Sequence, residues 1–116
     1  MLRLPLAAAL VLLAFFAVRP AAQAAEADPW FGRDKVMHGS VSFALAGNGY
    51  ADSTAFTKSS GIRVLSGAGI ALSAGMAKEI YDQAYGRGLS WRDLTWDAIG
   101  TATGTLVAWL VDRYLF

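Results

Sequence analysis

Two runs of fourteen residues without a charged side chain most constrain what this chain can fold into. They are residues 64–77 and 98–111. The polar stretch between them reads KEIYDQAYGRGLSWRDLTWD, with a glycine-rich break at residues 86–88. The apolar pattern before the break is helical and a new helix begins after it, so two helix ends meet at one turn. Both ends carry carboxylates, and we expect any functional site to lie there.

The N-terminus has the order of a secretory signal. A short basic start, Met1-Leu2-Arg3, precedes thirteen uncharged residues from Leu6 to Val18, and Ala22-Gln23-Ala24 supplies small residues for cleavage. Thirteen apolar residues are too few to span a bilayer, which takes about 20. We therefore expect a signal peptide at residues 1–24 and a single helical-bundle domain at residues 25–116.

Three helices are predicted in that domain. The first runs from Asp34 to about residue 50 and should fray at Gly47-Asn48-Gly49, since glycine is costly in a helix. A Ser/Thr-rich loop, residues 52–61, leads to a second helix over residues 62–84. Ser90 and Asp93 have capping-box spacing, with Asp in place of the usual Glu, at the start of a third helix over residues 91–114.

Small residues recur every four positions in the later helices. Such faces let helices approach closely, and we expect the small face of the third helix to pack on the second helix rather than to turn to solvent or lipid. The helix-packing positions are Gly67, Ala71, Gly75, Gly100 and Gly104. With short connections and no strand signal, the fold class is all-α: a compact antiparallel three-helix bundle after an N-terminal signal peptide.

That topology gathers the charged residues at one end of the bundle. If neighbouring helices are antiparallel, the start of the first helix lies beside the end of the second and the start of the third. Pairs three or four residues apart share a helix face. The predicted polar cluster, which could also be a metal or acid–base site, comprises Asp34, Lys35, His38, Lys78, Glu79, Asp82, Asp93 and Asp97.

Five carboxylates in a small volume repel one another unless positive charge is present. Lysine and arginine side chains could supply it as ion pairs, which would make the cluster structural. A divalent metal could also supply it, since bundles build metal sites from His and carboxylates on facing helices. The candidate metal ligands are His38, Glu79, Asp82 and Asp97, and a carboxylate beside His38 could act as general acid or base.

Composition excludes several classes. The formal net charge of +1 gives no basic face for nucleic acid. The chain has no cysteine, so thiol nucleophiles, disulfides and a lipidated N-terminal cysteine are absent. We expect an exported, periplasmic protein that is not a lipoprotein. Its small-residue faces leave membrane association open.

Three blocks of this chain resemble, in order and over nearly all of residues 25–116, the YfiM-like family of small bacterial envelope proteins. The blocks are Asp34-Lys35-x-x-His38 with Ser42-Phe43, Gly75-x-x-Lys78-Glu79-x-x-Asp82, and Ser90-x-x-Asp93-Leu94-x-x-Asp97-x-x-Gly100-x-x-x-Gly104. The chain is more distantly similar to VanZ-like membrane proteins. The resemblance implies an envelope location but supplies no established activity. Some family members are described as lipoproteins, which the missing cysteine does not fit.

Two function classes follow. The first is a non-enzymatic envelope protein whose cluster holds the fold or docks a membrane or envelope partner. The second is a metal-dependent hydrolase or transferase acting on an envelope lipid or a cell-wall component. The sequence does not choose the reaction, the substrate, the metal or the oligomeric state.

Overall fold

The fold is seen in a computed structural model that describes residues 29–86 and 88–116. It consists of three helices: α1 at Arg33–Ser53, α2 at Ser60–Ala84 and α3 at Trp91–Leu115. They pack as a three-helix bundle, and the predicted all-α class is confirmed. The predicted signal peptide, residues 1–24, lies outside the described residues, as does Arg87.

The helix starts follow from local hydrogen bonding. The Ser59 hydroxyl accepts from the amide of Ile62 and caps α2, while the Ser90 hydroxyl accepts from the amide of Asp93 (3.1 Å) and caps α3. The N-cap of α1 is Gly32, which has no side chain to accept a hydrogen bond. Asp34 lies in the first turn of α1, where a negative charge is stabilised by the positive end of the helix dipole.

The expected fraying at residues 47–49 is wrong, because α1 continues to Ser53. Glycine is needed here because α1 and α2 pack closely against each other at Gly49 and Gly67. A methyl group at Gly49 would lie 2.9 Å from the Cα of Gly67, and one at Gly67 would collide with the carbonyl of Ala46. The close approach of α1 and α2 at this point offsets the helical cost of glycine.

The small face of α3 packs on α1, and the expectation that it meets the second helix is wrong. A Cβ at Gly100 would collide with the Gly39 carbonyl, and one at Gly104 with the Phe43 carbonyl. Helix α1 therefore packs closely against both other helices, and the contacts between α2 and α3 are fewer. This central position places the first turns of α1 beside the end of α2 and the start of α3.

The interior is unusually polar for so small a domain. Its apolar part is a short layer of Val41, Leu45, Ala46, Ala71 and Ala74. Among the described residues eleven polar or charged side chains are buried, against six apolar ones. Charged groups are almost never fully buried unless they are paired, so the partners of these side chains decide what the interior does.

Candidate functional site

One end of the bundle holds the eight predicted cluster residues. Seven of them are buried and Asp34 is half-buried; the seven are Lys35, His38, Lys78, Glu79, Asp82, Asp93 and Asp97. They come from the first turns of α1, the last turns of α2 and the first turns of α3.

His38 is the centre of the cluster and contacts carboxylates through both ring nitrogens. Its Nδ1 lies 2.9 Å from Asp97 Oδ1, and the Ser42 hydroxyl donates to the same oxygen at 3.0 Å. On the other side of the ring, Nε2 lies 3.2 Å from Asp93 Oδ2 and 3.8 Å from Asp34 Oδ1. One imidazole therefore connects α1 to two successive turns of α3.

Lys35 uses the other oxygens of the same two acids. Its Nζ lies 2.5 Å from Asp93 Oδ1 and 3.3 Å from Asp34 Oδ2. Each of these carboxylates thus presents one oxygen to the ammonium group and the other to the imidazole of His38.

Glu79 joins α2 to the start of α3. Its Oε2 accepts a hydrogen bond from the backbone amide of Ser90 at 2.8 Å. This is the amide that the Asp93 side chain would accept in a capping box. Because Glu79 takes that role, the Asp93 carboxylate is available to His38 and Lys35. The second oxygen of Glu79, Oε1, is buried and has no hydrogen-bond donor among the described residues.

Lys78 and Asp82 form a separate pair one turn apart on α2, with Nζ 3.3 Å from Oδ1. Both side chains are buried. A buried pair of this kind ties the end of α2 together, but it contributes net stability only if its other hydrogen bonds are satisfied.

The proton affinities follow from these contacts. Burial lowers the pKa of His38, but the hydrogen bonds to Asp93 and Asp97 outweigh it and raise the pKa to about 10. Burial raises the pKa of Asp93, but hydrogen bonds from His38 and Lys35 hold it well below its usual range. At neutral pH, His38 is therefore a cation beside ionised Asp93.

Two other acids are shifted in the opposite direction. Burial, and next to it the charge of Asp93, raises the pKa of Asp34. Burial is also the largest cause for Glu79 and raises its pKa to about 7, while the Ser90 amide acts against the shift and the Asp93 carboxylate adds to it. The raised pKa of Glu79 favours its protonated form, which limits the negative charge of the cluster.

A metal-ligand group can be read from the same atoms. Asp34, His38 and Asp93 each offer one ligand atom, and these atoms lie within 4.8 Å of one another. Within the described residues, these three side chains form the group of His and acidic residues that lies close enough together to hold a metal ion. Of the four ligands predicted from the sequence, His38 belongs to this group. The other three predicted ligands lie outside it. Asp97 contacts Nδ1, the ring nitrogen of His38 that faces away from Asp93, while Glu79 lies beside Asp93 and Asp82 is paired with Lys78.

Two features were missed by the sequence analysis. Ser42 lies one turn after His38 on α1, a spacing that could have indicated its contact with Asp97. At the opposite end of the bundle, Asp112 Oδ2 accepts from the Tyr50 hydroxyl and from Arg63 Nη1, each at 2.7 Å. These three residues are far apart in the chain, so no local pattern connects them.

The outer surface is largely apolar along all three helices. Exposed apolar side chains recur with helical spacing and form what we call the apolar stripes: Val36 and Phe43 on α1; Leu65, Leu72, Met76 and Ile80 on α2; Ile99, Leu106 and Leu110 on α3. Within residues 29–86 and 88–116, no helix reaches the length and apolarity needed to cross a bilayer.

Comparison with protein-family models, with curated proteins and with solved structures gave no match to this chain. The resemblance to the YfiM-like family accordingly stays a prediction.

Proposed function

We propose that this chain is an exported, membrane-associated protein of the cell envelope, in which the polar cluster holds the three helix ends together and the apolar stripes lie against lipid. The observation that carries the proposal is the inverted distribution of polarity. Lys35, His38 and Glu79 are buried, whereas Leu65, Leu72 and Ile80 are exposed.

Lipid covers such a surface better than a single protein partner does. Monomeric soluble proteins rarely expose large contiguous apolar patches. Here the exposed apolar residues lie on all three helices, so one docked protein would cover one side and leave the others in water. A helix face immersed at the lipid boundary gains burial energy along its whole length.

The cluster has a structural role in this proposal. His38 connects α1 to α3, and Glu79 connects α2 to the amide at the start of α3. The apolar layer is small, so these contacts supply much of the specificity with which the helix ends meet. Removing one partner would leave a buried charge without compensation.

Vesicle flotation tests the lipid contact. The chain from Ala25 onward is used, because the apolar run at residues 6–18 would bind lipid by itself. Zwitterionic vesicles exclude attraction by lipid charge. We expect the chain to float with the vesicles and the double variant Leu72→Glu, Met76→Glu to float at least tenfold less.

The matched control is Ala55→Glu, Ser60→Glu, which adds the same charge at two exposed positions: Ala55 lies in the turn after α1, and Ser60 is the first residue of α2. It should float like the parent chain, with equal helicity by circular dichroism. A parent chain that stays monomeric in the aqueous fraction would contradict the proposal. So would a control that loses as much flotation as the stripe variant.

The metal-ligand geometry of Asp34, His38 and Asp93 favours a second candidate, a metal-dependent hydrolase or transferase acting on an envelope lipid or a cell-wall component. A bound dication would polarise a phosphoryl or carbonyl oxygen or lower the pKa of a water. The test is product release from envelope phospholipids and from cell-wall precursors, measured with EDTA and after metal is restored. Turnover that is unaffected by EDTA, or no turnover of either substrate class, would count against this candidate.

A further inference from the structure

We infer that Asp34, His38 and Asp93 form a binding site for one first-row transition-metal dication, with Asp97 as the residue that orients the imidazole. The inference deepens the second candidate function and is independent of the contact with lipid. Its ligand atoms are Asp34 Oδ1, His38 Nε2 and Asp93 Oδ2.

The spacing of these atoms suits a metal ion. Bonds of about 2.0–2.2 Å from the metal to nitrogen and oxygen place ligand atoms roughly 3–3.5 Å apart in a tetrahedral site. His38 Nε2 lies 3.2 Å from Asp93 Oδ2 and 3.8 Å from Asp34 Oδ1. The distance to Asp34 exceeds this range by a few tenths of an ångström, so the half-buried Asp34 side chain would have to move toward His38 for all three atoms to bind one tetrahedral ion.

The imidazole is held from behind in the manner of a metal ligand. Asp97 Oδ1 lies 2.9 Å from Nδ1, and Ser42 fixes the same carboxylate oxygen. A carboxylate that accepts from one ring nitrogen keeps the proton there and leaves the other nitrogen to the metal. Nε2 is the nitrogen that faces Asp34 and Asp93.

Lys35 contacts carboxylate oxygens other than the proposed ligand atoms. Its ammonium group contacts Asp93 Oδ1 and Asp34 Oδ2, the oxygens that do not face His38. The lysine therefore neutralises part of the charge on both carboxylates without taking the atoms assigned to the metal.

An independent observation at the same place is the second oxygen of Glu79. Oε1 is fully buried without a hydrogen-bond donor among the described residues, while Oε2 is held by the Ser90 amide. The Glu79 side chain lies beside the Asp93 carboxylate. An unsatisfied buried carboxylate oxygen next to another carboxylate requires a proton or a cation. A proton on Glu79 meets this requirement, and a metal on Asp93 would meet it instead.

The ligand set selects the class of ion. One imidazole with carboxylates suits zinc, manganese or iron, whereas magnesium and calcium prefer oxygen ligands alone. Zn²⁺ and Mn²⁺ are therefore the probes, and Ca²⁺ serves as the comparison ion.

Isothermal titration of the full chain tests the site. The protein carries no histidine tag, is purified in mild detergent and is stripped with EDTA before titration with ZnCl2, MnCl2 and CaCl2. We expect one Zn²⁺ or Mn²⁺ per chain and binding by Asp34→Asn at least tenfold weaker. Asp34 is chosen because its side chain is only partly buried, so the variant should fold.

The matched control is Asp112→Asn, which removes an acid at the opposite end of the bundle and should bind the metal like the parent chain. His38→Gln should lose binding if it keeps its helicity. No stoichiometric uptake by the folded parent chain, or equal affinities for Asp34→Asn and Asp112→Asn, would overturn the inference. Because the titration needs no substrate, metal uptake without turnover would keep the site and reject the enzymatic candidate alone.

Discussion

Glu79 near the end of α2 accepts the backbone amide of Ser90 at the start of α3, with 2.8 Å between Oε2 and the nitrogen. This contact completes the cap of one helix with a side chain from another. It also frees Asp93 from the capping role and lets its carboxylate contact His38 and Lys35. The contacts of Asp93 within the polar cluster therefore depend on the hydrogen bond that Glu79 accepts at the start of α3.

Glu79→Gln should remove a pH dependence of stability. The pKa of Glu79 is raised from 4.5 to about 7 in the folded protein, so the fold favours the protonated form. Its contribution is fully present below pH 4.5 and is lost as the pH rises through 7. By linkage the difference is roughly 3 kcal/mol.

Gln mimics the protonated acid and does not titrate. In EDTA, the difference in unfolding free energy between variant and parent should therefore grow in favour of the variant from pH 4.5 to pH 8. Urea unfolding at several pH values measures it. A difference that stays constant over this range would show that folding does not raise the pKa of Glu79.

His38→Ala should lower the unfolding free energy by about 3–5 kcal/mol at pH 7, because Asp93 and Asp97 would remain buried without the cation between them. Ser42→Ala is the comparison, since it removes one neutral donor to Asp97 and should cost about 1–2 kcal/mol. Equal effects of the two substitutions in denaturant unfolding would contradict a central role for the imidazole.

The His38 contribution has its own pH window. Its pKa is raised from 6.5 to about 10 in the folded protein, so the stabilisation is fully present below pH 6.5 and is lost as the pH rises through 10. Two-dimensional NMR of the imidazole should show a protonated ring at pH 8. A midpoint near 6.5 would mean that the contacts to Asp93 and Asp97 do not hold the charge.

Gly100→Ala should destabilise the bundle by about 1–3 kcal/mol, because the added methyl group would collide with the Gly39 carbonyl and push α1 and α3 apart. Gly69→Ala is the matched substitution: nothing lies within 4 Å of its added Cβ, and alanine favours the helix by up to about 1 kcal/mol. Thermal unfolding should give opposite signs. Similar shifts for both variants would show that the backbones are not in contact at Gly100.

Ser90→Ala should cost about 1 kcal/mol through the loss of its hydroxyl cap on Asp93. It keeps the amide that Glu79 accepts, so the titration of Glu79 should not change. Measuring stability and the Glu79 midpoint by carboxyl NMR in the same variant separates the two contacts. A lowered midpoint would mean that the Ser90 hydroxyl also contributes to the raised pKa of Glu79.

The sequence by itself determined the three helices and the end of the bundle at which the charged residues meet. Uncharged runs of fourteen residues, the cap at Ser90 and the short connections are local signals, and antiparallel packing follows from short loops. The gathering of side chains from α1, α2 and α3 at one end is a consequence of that topology, so it needed no knowledge of contacts.

Only the tertiary structure decided which partner each side chain takes. Asp93 and Asp97 are the same residue type and lie one turn apart, yet Asp93 faces Nε2 of His38 and Asp97 faces Nδ1. Likewise, Gly100 packs on α1, and Asp112 meets Tyr50 across 62 positions of the chain. These choices depend on helix rotation and on distances of a few tenths of an ångström, which arise from packing all three helices at once and leave no periodic trace along the chain.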